Sequence, residues 1–420
     1  MHRNEVVAAS ICQLIIIHIT RAEDVLLRSS SSKKILASFV VLTIALCCRA
    51  HAAPRSAFVT ASGSGFMLDG KPFRVSGVNN HYLTFASQAE TIRVLDDAVA
   101  MGANVVRIFL QPVIGSPDGT TPTIWNFHSA EDASNLGVNG AYLLYWNPQT
   151  GGMAINDGKD GMRKVDFVVA EAARRGLKLY IAFLDFWAYT GGAQQMSAWY
   201  GRNKGEDFFF LDPRTKADYR AWVSYVVGHR NYYTGVVYRD DPTIFAWDLM
   251  NEPAAKPDAL REPWTQEMAA FVKAIDANHL VSSGAANIRN KLSDIFLPSI
   301  DFGSWHGYPA YYKMSNEDFR RLIETFCAIA QRAGKPAIMS EFGVPRSQPD
   351  QAQTYAAWLT TLDQSPGCGG WLVWRLVSRQ DSGQYPRDDH DQFDIHDDDS
   401  ATWRVLKAAA ARAARSAPHP

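Results

Sequence analysis

Short apolar segments alternate with longer amphipathic segments along most of this chain, and this alternation is the feature that most restricts its fold. Several of the apolar segments are rich in Val, Ile and Phe without polar alternation, which is typical of strands buried on both faces. The eight predicted strands are residues 73–80, 104–110, 178–186, 243–252, 280–284, 302–309, 336–343 and 370–376.

Helical segments occupy most of the gaps between these predicted strands. Two of them stop at glycines, Gly102 and Gly176, and glycine is a common residue at a helix end. The gap between the fifth and sixth strands is too short for a good helix, so that unit is predicted to be irregular. The predicted helices are residues 91–101, 161–175, 216–227, 264–277, 316–333, 351–362 and 401–415.

This series of strand–helix units predicts a single-domain α/β protein with the (β/α)8 TIM barrel fold. A doubly wound open sheet is the alternative, and it is disfavoured because no Gly-rich phosphate loop follows the first strand. In a barrel, the loops after the strands form the functional face. The loops after the second and third strands are rich in aromatic residues: Trp125, Tyr145, Trp146, Trp187, Tyr189, Trp199 and Tyr200.

The N-terminal residues have the pattern of a secretory signal peptide. Lys33 and Lys34 precede an apolar run at 35–46, and Ala50-His51-Ala52 fits a cleavage site. The protein is therefore predicted to be secreted or periplasmic. The predicted organisation is a removed segment at 1–52, a catalytic domain at 53–415 and a disordered tail at 416–420.

Two cysteines, Cys327 and Cys368, remain after the predicted removal of the signal segment. In an exported chain they could form a disulfide, and they could equally be two buried free thiols. The sequence leaves both possibilities open.

Charge and composition restrict the class of partner. With 42 basic and 43 acidic residues the net charge is −1, which argues against a nucleic-acid partner. The acidic segment 387–400 matches neither the calcium-loop nor the zinc-site spacing, so no metal and no cofactor are predicted. The sequence contains no coiled coil or spare apolar helix, so a monomer with no membrane association after signal removal is predicted.

Two carboxylates lie at the ends of predicted strands. Glu252 follows the apolar run 244–250, and Glu341 occupies the matching end of the seventh strand. A single such glutamate is commonly part of a salt bridge to a neighbouring helix. Two in the same register across a barrel mouth are what glycoside cleavage requires, because one attacks the sugar while the other protonates the leaving oxygen.

Other polar and aromatic side chains are predicted at the same rim. An arginine beside Glu341 would keep that carboxylate ionised, and a less polar setting would raise the pKa of Glu252. An indole could form a floor for a pyranose ring, although core packing is the ordinary role of a buried tryptophan. The residues predicted to contact the sugar or the carboxylates are Arg107, Asn251, His306, Tyr308, Trp374 and Trp187.

Four segments carry a resemblance to glycoside hydrolase family 5: TIFAWDLMNEP, SWHGYP, IMSEFG and GWLVW. That family consists of (β/α)8 retaining glycosidases. The resemblance spans about residues 58–403. It implies that Glu252 is the acid/base and Glu341 the nucleophile, and it places the other rim residues except Trp187 on the sugar-site positions of the family.

Within the family, the chain is most similar to endo-β-1,4-mannanases of the plant and fungal type. Two positions depart from that pattern. Ala254 follows Asn-Glu-Pro where those enzymes commonly carry Arg, and Phe109 stands where they commonly carry Trp. Both departures concern substrate subsites and leave the preferred chain length, and endo or exo action, undecided.

The resulting expectation is a secreted retaining endo-β-1,4-mannanase that acts on mannan, glucomannan or galactomannan, or on manno-oligosaccharides. Another β-1,4-glycanase or an exo-β-mannosidase of the same family is the first alternative. A barrel that binds polysaccharide without cleaving it is the alternative from a different functional class.

Overall fold

Eight parallel strands form one sheet that curves into a nearly closed barrel. Neighbours in the sheet follow chain order, and β8 pairs back to β1. Between β5 and β6 the connection is made by two backbone hydrogen bonds, from Asp301 N to Val281 O (2.8 Å) and from His306 N to Ala286 O (3.0 Å). The strands are β1 (Val75–Asn79), β2 (Val105–Phe109), β3 (Lys178–Ala182), β4 (Ile244–Asp248), β5 (Leu280–Ser282), β6 (Gly303–Gly307), β7 (Ala337–Phe342) and β8 (Cys368–Val373).

This arrangement confirms the predicted (β/α)8 barrel. It comes from a computed structural model, which describes residues 58–125, 133–201, 205, 207–289, 291–386 and 391–415. The chain divides into a unit at Met1–Arg55 and a unit at Ser56–Pro420. The predicted signal peptide at 1–52 and the predicted tail at 416–420 lie outside the described residues.

Amphipathic helices surround the barrel. Gly102 (φ 87°) and Gly176 (φ 69°) end two of them in the left-handed conformation that glycine adopts without steric cost. In the described part of the unit between β5 and β6, a 3₁₀ turn at Ser293–Phe296 takes the place of a longer helix, which agrees with the predicted irregularity. The main helices are α1 (Gln88–Met101), α2 (Met162–Arg175), α3 (Pro213–Gly228), α4 (Arg261–Ile275), α5 (Asn316–Ala333), α6 (Gln351–Gln364) and α7 (Ala401–Arg415).

The N-terminal end of the barrel is filled by apolar side chains. A three-stranded antiparallel sheet precedes β1, and it carries Phe66 against Phe245 and Phe302, with ring centroids 5.3 and 5.5 Å apart. Val105 and Ile338 belong to the same buried cluster. Because this end is packed with apolar residues, polar chemistry is confined to the opposite end, where the carboxyl ends of the strands meet.

The structure settles the cysteine pairing that the sequence left open. Cys327 of α5 and Cys368 of β8 form a disulfide, with their Cα atoms 4.8 Å apart. Within the residues that the structure describes, no helix is both long and apolar enough to cross a membrane.

Candidate active site

A cleft of about 700 Å³ opens at the carboxyl ends of the strands. It brings together most of the residues predicted to form a site. Arg107 alone among them does not line the cleft, because its side chain is fully buried beneath it. The predicted residues along the cleft are Trp187, Asn251, Glu252, His306, Tyr308, Glu341 and Trp374.

Glu252 and Glu341 face each other across this cleft. One oxygen of each carboxylate and one ring nitrogen of His306 all lie within 4.8 Å of one another. The Glu252 side chain keeps 24% of its surface exposed and that of Glu341 only 5%. The two carboxylates therefore lie close together in the same cleft, and the Glu252 side chain is the more exposed of the two.

The buried guanidinium of Arg107 connects β2 to the ends of β1, β4 and β7. It donates to Glu341 Oε1 at 2.6 Å and to Asp248 Oδ2 at 2.7 and 3.0 Å. It also donates to Asn251 Oδ1 at 2.9 Å and Asn79 Oδ1 at 3.2 Å. A rigid planar cation suits this task, because its fork of N–H groups can satisfy several fixed acceptors at once.

The second oxygen of Glu341 receives a different donor. The hydroxyl of Tyr308, directly after β6, donates to Glu341 Oε2 at 2.6 Å. His306 Nδ1 lies 3.4 Å from the same oxygen. Glu341 thus has a cation on one oxygen and a phenol on the other, which fixes the plane of its carboxylate.

Glu252 is held from two sides and by its backbone. Trp187 Nε1 donates to Glu252 Oε2 at 2.8 Å, and His306 Nδ1 lies 2.5 Å from Oε1. The residue has φ 48°, in the left-handed region that costs a non-glycine residue about 1–3 kcal/mol. Strand β4 ends at Asp248, so Glu252 lies beyond the strand that was predicted to include it.

The backbone geometry explains this earlier strand end. Leu249 N donates to Ser282 O at 3.0 Å, toward β5, whereas Asn251 N donates to Leu184 O at 2.8 Å, toward β3. Residues two apart in a regular strand donate to the same neighbour, so the strand pattern breaks between Leu249 and Asn251. This break and the left-handed backbone of Glu252 (φ 48°), rather than strand continuation, orient the Glu252 side chain into the cleft.

The pKa values of the pair run opposite to the expected order. Burial raises the pKa of Glu252, but the nearby His306 and the Trp187 N–H outweigh it, so its pKa lies below the ordinary value. Burial also raises the pKa of Glu341, and His306 and Arg107 do not offset it fully, so its pKa lies above the ordinary value. The two carboxyl groups differ in their neighbours, since His306 lies nearer Glu252 and the charge of Glu252 itself raises the pKa of Glu341.

Asp248 and Asp185 are buried polar residues that the sequence analysis did not identify. Asp248 accepts from Arg107 and from the Ser282 hydroxyl at 2.6 Å. Asp185 accepts from the Asn251 side-chain amide at 3.0 Å, and burial raises its pKa to about 7. A carboxylate inside an apolar strand, as in IFAWD, is the signal that could have revealed Asp248, because a buried charge needs a partner.

Aromatic residues form part of the cleft wall. Trp374 follows β8 and is half-buried, with Phe109 edge-on to it at 5.8 Å. Of the seven loop aromatic residues named from the sequence, only Trp187 and Tyr189 line the cleft. Trp146 instead packs against its loop neighbours Trp199 and Tyr200.

The acidic segment at 387–400 also reaches the cleft. Residues 387–390 lie outside the described residues, but Asp391 and Phe393 line the cleft. In the described part of the chain, the group with metal-ligand spacing is Glu252, His306 and Glu341, and no residue of 391–400 belongs to it.

Comparisons with known proteins point to one family. Residues 155–364 match the sequence profile of the family described as GH family 5 beta-mannosidase-like. A probable mannan endo-1,4-beta-mannosidase A-2 of Aspergillus terreus is 28% identical over 367 residues, covering 81% of this chain and 84% of that protein. Mannan endo-1,4-beta-mannosidase 3 of Arabidopsis thaliana is 29% identical over 366 residues, covering 76% and 82%.

Solved structures give the same result. The crystal structure of the endo-1,4-beta-mannanase from Rhizomucor miehei superposes with a TM-score of 0.72 at 26% identity. The match covers 86% of this chain and 100% of that one. The endo-beta-1,4-mannanase from Thermotoga petrophila superposes with a TM-score of 0.68 at 27% identity, covering 82% and 78%.

Proposed function

This chain belongs to the GH family 5 beta-mannosidase-like family, and on that premise we propose that it is an endo-β-1,4-mannanase. Its substrates would be mannan, glucomannan or galactomannan. The observation that carries the proposal is the pair Glu252 and Glu341, whose nearer oxygens lie within 4.8 Å of each other. Retaining glycosidases place their two carboxyl groups roughly 5–5.5 Å apart, and inverting ones roughly 6.5–9.5 Å apart.

The proposed reaction proceeds by double displacement. In the first step Glu341 attacks the anomeric carbon, the glycosidic bond breaks, and Glu252 gives its proton to the departing sugar oxygen. In the second step Glu252 takes a proton from water, the water oxygen attacks the anomeric carbon, and the bond to Glu341 breaks. Two inversions give overall retention of configuration.

This scheme requires an ionised Glu341 and a protonated Glu252, which is the reverse of the pKa order described above. We propose that bound substrate restores the required order. The bonds from Arg107 and Tyr308 hold Glu341 from within the barrel wall. Glu252 is the more exposed carboxylate, so a glycosidic oxygen beside it excludes water and favours its neutral form.

The rim residues have proposed roles in sugar binding. Asn251 sits between Arg107 and Asp185 and offers polar atoms beside the acid/base. Trp374 offers an indole floor for the sugar bound next to Glu341. Ala254 lines the cleft beside Glu252 and carries no charged group to the leaving-group side.

Parallel assays on three polysaccharides test this function. Reducing-sugar release is measured with mannan, cellulose and xylan, and activity is expected on mannan. Product sizes distinguish internal cleavage, which gives mixed oligosaccharides, from release of single mannose units by an exo-enzyme. Greater activity on cellulose or xylan, or binding to mannan with no cleavage, would contradict the proposal.

Variants test the assigned residues. Glu252→Gln is expected to lower kcat with mannan by roughly 10²–10⁴-fold, the usual contribution of a general acid. Glu341→Ala is expected to remove turnover. Glu267→Ala is the control, since Glu267 pairs with Lys216 and Arg220 on the helical surface. NMR of the first product anomer checks retention, and inverted product would exclude Glu341 as nucleophile.

We also propose export of the protein, from the signal-like sequence at 1–52. The supporting pattern is a basic segment, an apolar run and small residues at the cleavage position. N-terminal sequencing of protein recovered outside the expressing cell is expected to begin close to Ala53. An intact N-terminus on intracellular protein would contradict export.

A further inference from the structure

We propose that Phe393, in the segment between β8 and α7, is a positioning residue that orients Tyr308 and through it Glu341. The inference deepens the proposed function and rests on it for the kinetic part of its test. The Phe393 side chain has no polar atom and forms no hydrogen bond with either carboxylate. Its effect would pass through the phenol of Tyr308, whose hydroxyl donates to Glu341 Oε2 at 2.6 Å.

The ring of Phe393 lies flat against the ring of Tyr308. Their centroids are 5.3 Å apart and their planes differ by 20°. Phe393 is 3% exposed, whereas Tyr308 is half-buried and lines the cleft. Tyr308 is therefore fixed at two places, by stacking on its ring and by the hydrogen bond at its hydroxyl, and its χ angles have little freedom left.

The ring of Phe393 also packs against the glycine that follows β7. A Cβ placed on Gly343 would lie 2.8 Å from Phe393 Cγ and 3.0 Å from Cδ1 and Cδ2, closer than side-chain atoms pack. Gly343 is two residues after Glu341. The Phe393 ring thus fills the space between the backbone that carries the nucleophile and the tyrosine that bonds to it.

The backbone around Phe393 is anchored independently of this ring. Ile395 N donates to Arg375 O at 2.8 Å, and Val377 N donates to Ile395 O at 3.0 Å. Asp394, the next residue, forms an ion pair with Arg375 at 2.7 Å, and both side chains are 2% exposed. The segment is therefore held to the chain that follows β8, and this attachment gives Phe393 a defined position from which to support Tyr308.

An ordinary core role for Phe393 makes a different prediction from a positioning role. If Phe393 only packs the core, its replacement lowers stability. Its effect on kcat is then the same whether or not Tyr308 carries its hydroxyl. Loss of a positioning residue matters only while Tyr308 has a hydroxyl to place. A misplacement of about 1 Å at a reacting group can cost on the order of 100-fold in rate.

A double-mutant cycle separates the two roles. In the full-length protein, Phe393→Leu is expected to lower kcat on mannan by roughly 10- to 100-fold, with KM changed less than about threefold. In a Tyr308→Phe background, the same replacement is expected to change kcat by less than about threefold. Equal losses in both backgrounds, or no loss in either, would overturn the proposal.

A matched control and a substitute variant keep the cycle interpretable. Phe209→Leu removes an equally buried ring that packs against Tyr219 and Trp264 away from the carboxylates. It is expected to lower the melting temperature while kcat stays within about twofold. If Phe393→Leu shows no folding transition, Phe393→Met takes its place, because it keeps similar volume without a flat ring.

A second readout does not need turnover. The Tyr308 hydrogen bond lowers the pKa of Glu341, so ¹³C NMR titration of that carboxyl should give a higher pKa in Phe393→Leu and in Tyr308→Phe. No further rise is expected in the double variant. A wild-type protein that cleaves no mannan refutes the proposed function, whereas an unshifted Glu341 titration in Phe393→Leu refutes this inference.

Discussion

Replacing Arg107 by methionine removes the cation that joins Asp248 to Glu341 and leaves both carboxylates without it inside the barrel. The side chains of Arg107 and Asp248 are fully buried, and that of Glu341 is 5% exposed. Removing one partner of a buried ion pair costs roughly 3–5 kcal/mol, because the remaining charge is neither solvated nor paired. Asp248 retains its bond from Ser282, which softens this loss without offsetting the charge.

The stability loss converts to a melting temperature. Unfolding entropy is roughly 2.1 cal/mol/K per residue. For a domain of roughly 360 residues, a change of about 0.8 kcal/mol in the free energy of unfolding therefore shifts the melting temperature by one degree. The expected decrease in melting temperature for Arg107→Met is therefore about 4–6 °C, measured by calorimetry at fixed pH. The melting temperature of Arg107→Lys should lie between those of the wild type and Arg107→Met, since a single ammonium cannot donate to both acceptors in the same geometry.

The same substitution should also move the pH dependence of the reaction. Arg107 lowers the pKa of Glu341, and the nucleophile must be ionised to attack. Without Arg107 the pKa of Glu341 rises further, so the acid limb of the kcat profile, which reports the substrate complex, is expected to move to higher pH.

The control is Arg321→Met, which removes an exposed pair with Asp318 on the surface of α5. Such pairs contribute about 0–1 kcal/mol, so the melting temperature should fall by about 1 °C and the acid limb should stay in place. An Arg107→Met variant that melts like this control, with an unmoved acid limb, would refute the argument from the buried guanidinium.

Three further predictions follow from other parts of the structure. Replacing Cys327 and Cys368 together by alanine opens a loop with a sequence separation of 41, which should cost about 4 kcal/mol and be visible in urea unfolding; unchanged stability would contradict the pairing. In urea unfolding, Glu252→Gly should be more stable than Glu252→Ala by about 1 kcal/mol, because φ at residue 252 is 48°; equal midpoints would argue against backbone strain. Trp187→Phe removes an N–H donor that lowers the pKa of Glu252, so the basic limb of kcat, which reports the substrate complex, should move to higher pH; a shift to lower pH would count against Glu252 as the acid.

Much of the architecture could be predicted from the sequence because its cause is local. All eight barrel strands lie at the predicted apolar runs, and α5 and α7 begin and end at the predicted residues. The short gap between the fifth and sixth predicted strands also predicted the irregular unit between β5 and β6. The end of β4 was predicted four residues too late, because Leu249 and Met250 continue the apolar run while the backbone hydrogen bonds leave the strand pattern after Leu249.

The candidate site was predictable in part. The positions of Glu252 and Glu341 at strand ends place both at one rim of a barrel, whatever the loops do. The role of Phe393 had no local signal, since its segment reads only as an acidic loop. Its contact with Tyr308 joins residues far apart in the chain, and only the path of the backbone after β8 brings them together.

The sequence by itself therefore determined the barrel and the rim on which its carboxylates stand, because side-chain periodicity and strand direction are set by neighbouring residues. The tertiary structure decided which carboxylate each donor serves. Arg107 reaches Asp248 and Glu341 across 141 and 234 residues of sequence, and His306 lies 2.5 Å from Glu252 but 3.4 Å from Glu341. His306 and Trp187 bond to Glu252, while the charge of Glu252 itself raises the pKa of Glu341, so the order of the two pKa values follows from packing and not from the motif.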